Sequence, residues 1–184
     1  MKTLIFNGSP RKNGDTMGLL KFLLAELEGE YKIVDAYRCG IAPCVDCRWC
    51  RENDGCCIHD GMDEIYDYIQ ECDNILIASP VYFTELTGML LSLLSRLQTY
   101  YSARKFRGET PIARPKRGAV ILVGGGDGSI DSAAATGRMA LRSMNARGKI
   151  LLASSHATDV RPAVEDAEAV AAVREIAAYF NEAR

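Results

Sequence analysis

No stretch of the chain approaches the roughly 18 consecutive apolar residues that a membrane-crossing helix needs, so no transmembrane segment is expected. The opening run from Met1 to Pro10 is too short for the apolar stretch of a secretory signal and has no small-residue cleavage site. The expectation is a cytoplasmic protein. Charge of one sign is also lacking: 22 Lys and Arg stand against 24 Asp and Glu. With no basic stripe, neither nucleic acid nor a membrane surface is expected as partner. Histidine is scarce, at two residues. His59 and His156 read as surface residues as readily as site residues, and no Ser/His/Asp or paired-carboxylate arrangement can be argued. Internal repeats and low-complexity tracts are missing, as are the Gly-Lys-Ser/Thr ending of a P-loop and the Gly-x-Gly-x-x-Gly fingerprint.

What is present suits an ordinary globular chain. With 184 residues, 48% hydrophobic and 25% charged, it is expected to form one domain over 1–184. At that length roughly 70% of the unfolded surface is buried on folding, so the core needs no staples. Apolar runs at Lys2 to Phe6, Tyr31 to Tyr37, Asn74 to Ala78, Gly118 to Val123 and Lys149 to Ala153 read as strands. Between and after them, helical spacing covers Thr16 to Leu27 (with Asp15 as its N-cap), Asp63 to Cys72, Thr87 to Tyr101, Ser132 to Ala146 and Val164 to Phe180. Five strands alternating with helices predict an α/β, doubly wound parallel sheet of five strands with helices on both faces. The leucines at 90, 91, 93, 94 and 97 exceed what one helix face needs, which predicts either deep burial or a subunit contact.

A sheet of this kind binds its ligand beyond the carboxyl ends of its strands. Three loops there are unusual. After the first strand, Gly8-Ser9-Pro10-Arg11-Lys12-Asn13-Gly14-Asp15-Thr16 combines small residues, hydroxyls and a guanidinium at a helix start. Free N–H groups and the positive end of the helix dipole would suit a phosphate there, although a polar turn with a good cap reads equally well. After the third strand, Pro80, Val81, Tyr82 and Phe83 offer flat apolar surface that a flavin ring could use, or could simply pack under the loop. After the fourth, Gly124, Gly125 and Gly126 permit close backbone approach, or only a flexible turn.

Cysteine is abundant, with seven residues, and in a cytoplasmic chain that points to metal or redox chemistry before disulfides. Within the aperiodic segment 38–62, Cys44, Cys47, Cys50 and Cys56 give C-x2-C-x2-C-x5-C, with Cys57 adjacent, Cys39 upstream and no histidine inside the run. Soft thiolates select an iron–sulfur cluster or zinc over hard cations. Free thiols or disulfides complete the alternatives. Cys72, on a helix before a strand, reads as a core residue.

Gly-Ser-Pro-Arg-Lys-Asn-Gly-x-Thr after the first strand, the cysteine segment after the second and Ser-Pro-Val-Tyr after the third resemble the NAD(P)H-dependent FMN reductases. More narrowly, they resemble the iron–sulfur flavoproteins of the flavodoxin-like superfamily. The resemblance implies strand order 2-1-3-4-5, FMN phosphate held by Ser9, Arg11, Asn13, Gly14, Asp15 and Thr16, and a ring flanked by residues 80–83 and 124–126. It implies a four-iron, four-sulfur cluster on Cys44, Cys47, Cys50 and Cys56, and a homodimer or homotetramer. It further implies an FMN-dependent oxidoreductase that takes electrons from NADH, NADPH or a ferredoxin-like donor and delivers them to a quinone, flavin or other acceptor. The alternative is a non-enzymatic electron carrier. The chain departs from the family pattern at Asp15, where Asn is usual, at His59-Asp60-Gly61-Met62, where Asp-Asp-Met is frequent, and at Ser95-Arg96, where Asp-Arg is common.

Overall fold

The computed structural model describes residues 1–182. Strands β1 (Lys2–Asn7), β2 (Glu30–Asp35), β3 (Asn74–Tyr82), β4 (Glu85–Leu86), β5 (Lys116–Val123) and β6 (Ala146–Ser155) alternate with helices α1 (Asp15–Glu26), α2 (Met62–Glu71), α3 (Gly88–Leu94), α4 (Gln98–Phe106), α5 (Asp131–Ser143) and α6 (Ala167–Asn181). The sheet order is β2-β1-β3-β5-β6, all parallel, with β4 paired antiparallel to β3. This is the expected flavodoxin-like order. The correction is one additional strand of two residues.

Successive residues of a strand point to opposite faces, so each strand feeds two cores. Leu4, Phe6, Ile75, Ile77, Val120 and Leu122 pack under α2, α3, α4 and α5. Ile5, Leu76, Ala78, Ile121 and Val123 pack under α1 and α6. Burial on both faces is why these strands read as continuous apolar runs.

Several expected boundaries move. The helix read over Thr87 to Tyr101 is two helices, because Ser95–Leu97 winds as a 3-10 turn and α4 then continues to Phe106. Ser95 Oγ donates to the Ser92 carbonyl at 2.6 Å, a back-bond of the kind that bends helices. Leu90, Leu93, Leu94 and Leu97 are buried in the core and Leu91 is half-buried, so deep burial within the chain accounts for four of the five leucines. β6 begins at Ala146, where the register slips by a bulge between Lys116 and Gly118, and α5 ends at Ser143. α6 starts only at Ala167, where the Asp166 carboxylate accepts from Ala169 N–H, and a 3-10 turn over Ala163–Glu165 precedes it. The N-cap of α1 is Gly14, not Asp15, and no side chain caps it. The Asp15 carboxylate is occupied elsewhere, accepting from Ala163 N–H at 3.1 Å and pairing with Arg11. Cys72 is buried, as expected of a core residue.

Candidate functional site

The register brings the carboxyl ends of the central strands together: Asn7 lies beside Ala78, Pro80 beside Val123, and Val123 beside Ser155. The loops that follow therefore open at one end of the sheet, and hydrogen bonds tie their bases together. Gly8 N–H donates to the Ala78 carbonyl at 2.8 Å, and the buried Thr87 hydroxyl donates to the Gly8 carbonyl at 2.8 Å. A Cβ at Gly8 would stand 2.8 Å from Leu90 Cδ2 and 2.9 Å from Ser79 Oγ, so only glycine fits this junction.

In the first loop, Ser9 is buried and its hydroxyl bridges the loop, donating to the Arg11 carbonyl and accepting from Arg11 N–H. Thr16 is buried in the first turn of α1, whereas Arg11 and Asn13 are exposed. The Arg11 side chain lies back along the loop with Nη2 3.2 Å from Asp15 Oδ2. The first turn of α1 leaves its N–H groups without intrahelical partners, and Gly14 places no side chain in front of them. A helix start of that kind with a guanidinium beside it is chemically suited to a phosphate. Arg38 Nη2 closes the far side by donating to the Pro10 carbonyl at 2.6 Å.

The second loop is a hairpin. Val81 pairs with Leu86 and Tyr82 with Glu85, leaving Phe83 and Thr84 as a two-residue turn with φ of 51° and 64°. Left-handed values at both central residues define a type I′ turn, here without glycine or asparagine. The hairpin is moored to the start of α5: Ala133 N–H donates to the Thr84 carbonyl, and Ser132 and Thr136 hydroxyls donate to the Glu85 carboxylate at 3.0 and 2.8 Å. Phe83 is thereby held 100% exposed, with Tyr82 also exposed beside it. In the third loop, Ala157, Thr158 and Asp159 N–H groups donate to the carbonyls of Gly126, Gly124 and Gly125, so the segment after β6 braces the glycines from behind.

The cysteine segment lies along α3 and α4. Cys44, Cys47, Cys50, Cys56 and Cys57 line one cleft of about 320 Å³, together with Trp49, Tyr101 and Phe106. The donor set is all thiol, which fits a soft metal or an iron–sulfur cluster. Among the described residues no three Cys, His, Asp or Glu side chains are already gathered at metal-holding distance. The sulfurs of Cys47 and Cys57 stand 3.1 Å apart. That contact holds the Cys57 thiol up at about 11, with burial adding to the shift, and lowers Cys47. Cys50 Sγ instead faces Ser102 Oγ at 3.3 Å.

What holds this segment was not singled out by spacing. The Arg96 side chain is fully buried and donates to the carbonyls of Ala42 (2.9 Å) and Ile58 (2.7 Å) and to Asp60 Oδ2 (2.8 Å). Asp60 also accepts from Ala42 and Met62 N–H, and although burial opposes it, these donors and Arg96 hold its carboxyl below the usual range. Arg107 donates to the carbonyls of Cys50 and Asn53, Thr99 to that of Gly55, and Ser95 Oγ accepts from Cys44 N–H. The signal was in the sequence only as departures at Asp60 and Ser95-Arg96.

A protein-family model described as NADPH-dependent FMN reductase matches residues 1–170. An iron-sulfur flavoprotein of Archaeoglobus fulgidus is 31% identical over 137 residues, covering 73% of this chain and 59% of its own length. An iron-sulfur flavoprotein of Methanosarcina thermophila is 33% identical over 128 residues, covering 68% and 64%. The chain thus spans somewhat under two thirds of these relatives. Among solved structures, an NAD(P)H:quinone oxidoreductase from Methanothermobacter marburgensis superposes with a TM-score of 0.72 at 15% identity, covering 100% of this chain and 98% of that one. An FMN-dependent NADH-azoreductase from Bacillus anthracis, solved in complex with FMN, gives 0.63 at 14%, covering 98% and 99%. These two likenesses are of fold. The match over residues 1–170 places the chain in the NADPH-dependent FMN reductase family.

Proposed function

We propose that the chain is an FMN-dependent oxidoreductase that passes electrons from NADH or NADPH to a quinone, flavin or similar acceptor. The observation that carries this is the convergence, at one end of the sheet, of a phosphate-suited helix start, an exposed aromatic hairpin and a braced glycine loop. Arg11 and the first-turn N–H groups of Asp15 and Thr16 would hold the phosphate, with Gly14 leaving the approach open, Ser9 fixing the loop and Asn13 at its rim. Pro80 to Phe83 and Gly124 to Gly126 would flank the ring. FMN, when bound, supplies the hydride and electron chemistry, so the chain needs no acid–base pair of its own. The chain's task is to bind and orient: Glu85 fixes the angle of the hairpin, and Asp159 behind Gly125 fixes the glycine loop. Asp15 is turned to Ala163 N–H and so adds no uncompensated charge toward a phosphate.

The cleft of five cysteines favours a second reading, a carrier that exchanges electrons between partner proteins, with Cys44, Cys47, Cys50 and Cys56 or Cys57 holding a four-iron cluster. Steady-state oxidation of NADH or NADPH with a quinone separates the two. Saturable turnover is expected, and its absence with FMN bound would favour the carrier. The phosphate assignment has its own test. Arg11→Ala removes a charge-assisted contact and should weaken FMN on the order of tenfold to a hundredfold. Riboflavin, lacking the phosphate, should bind both proteins alike, and equal losses for both ligands would refute the assignment.

A further inference from the structure

Cys47 and Cys57 differ from the other cysteines of the cleft. Their sulfurs stand 3.1 Å apart, only about 1 Å beyond the length of an S–S bond. Both are exposed, whereas Cys44, Cys50 and Cys56 are partly buried. The backbone explains the approach. Asp46 and Arg48, on either side of Cys47, both lie in the left-handed region, with φ of 49° and 67°. Neither is glycine, so the loop holds two strained residues on either side of Cys47. A double left-handed turn around one cysteine turns its side chain toward the returning strand of the loop, where Gly55 (φ 73°) leads into Cys56 and Cys57.

The two arms are also fixed from outside. Cys44 N–H is bonded to Ser95, the Cys50 carbonyl to Arg107 and the Gly55 carbonyl to Thr99. All three anchors belong to the α3–α4 region or its flanks, so the arms carrying Cys47 and Cys57 share one rigid support. Cys50 is engaged with Ser102 and does not compete for Cys57.

We infer that Cys47 and Cys57 form a reversible redox-active pair, closed to a disulfide by exchange with a low-molecular-weight disulfide. The Cys47 sulfur, once deprotonated, attacks one sulfur of the small disulfide, forming a mixed disulfide and expelling the first small thiolate. Cys57 loses its proton and attacks Cys47 Sγ, forming the Cys47–Cys57 bond and expelling the second. Two electrons leave the protein thiols for the small disulfide, and the two thiol protons end on the two released small thiols. The bond removes Cys47 from the C-x2-C-x2-C series, so soft-metal ligation by that series and the disulfide exclude one another. The inference does not depend on flavin binding.

Full-length protein, reduced, stripped of metal with a chelator and then exposed to oxidised glutathione, tests it. Maleimide labelling in denaturant should fall from the seven cysteines of the sequence to five, the two joined being subtracted, and dithiothreitol should restore seven. Peptide mapping without reduction should recover one linked pair, Cys47 with Cys57. Cys56→Ser should keep that link, and Cys57→Ser should abolish it and leave a glutathione adduct on Cys47. A Cys47 link to Cys50 or Cys56 in the unaltered chain, a stable adduct on Cys47 with Cys57 present, or seven labelled thiols after oxidation would each overturn the inference.

Discussion

Arg96 carries a charge where no water reaches it, and each of its partners belongs to the segment that bears the cysteines. Removing one member of such a pair leaves the other charge buried and uncompensated, which costs about 3 kcal/mol. Asp60→Asn should therefore lower the urea midpoint at neutral pH with little change in slope. The pH dependence has a definite sign. Asp60 is held below the ordinary carboxyl value, so its contribution is present above that value and is lost as pH falls through the depressed folded value. Stability measured from pH 5 down to pH 2 should fall less steeply in Asp60→Asn than in the parent. A parallel decline in both proteins would show that Asp60 is not the group responsible. None of this was legible in the sequence, where Ser95-Arg96 was visible only as an unusual dipeptide. Its bonds reach 36 to 54 positions away, and periodicity reports only near neighbours.

At the scale of the element, the apolar runs and helical spacings gave away the five long strands and the helices, with α3 and α4 read as one, because burial on both faces of the central strands leaves no polar alternation to confuse them. The β3–β4 hairpin escaped for the opposite reason. Its turn residues are Phe83 and Thr84, which carry none of the Asn-Gly signals by which type I′ turns are recognised. A β-branched residue at φ 64° is an outlier held in place by the mooring to α5. Thr84→Gly relieves that strain and should raise stability by about 0.5 kcal/mol, after the larger unfolded-state entropy of glycine is offset. Unchanged or lower stability would mean that the turn is not strained. Gly8→Ala should act in the other direction. Its Cβ meets Leu90, Ser79 and Thr87 at 2.8 to 3.0 Å, and overpacking at a buried junction costs about 1–3 kcal/mol. Because Gly8 joins the bases of two loops of the proposed flavin site, flavin affinity should fall together with the melting temperature.

On the scale of the whole molecule, the proposed flavin site draws on loops from β1, β3 and β5, the three central strands of the sheet. The sequence showed these loops individually, and their convergence followed from the sheet rule rather than from any residue pattern. A ligand that bridges all three binds only the folded chain, so it should stabilise the entire cooperative unit. At a free FMN concentration a hundredfold above its dissociation constant, mass action adds about 2.7 kcal/mol. For a chain of this length each kcal/mol moves the midpoint by about 2–4 °C, so calorimetry should show a rise of roughly 5–11 °C. Arg11→Ala provides the internal control. A tenfold weaker site at the same FMN concentration forfeits about 1.4 kcal/mol of that gain, so its rise should be smaller by roughly 3–6 °C. With riboflavin in place of FMN the two proteins should shift equally, because the ring loops are intact in both. A rise confined to one transition of a biphasic melt would mean that the three loops do not act as one site.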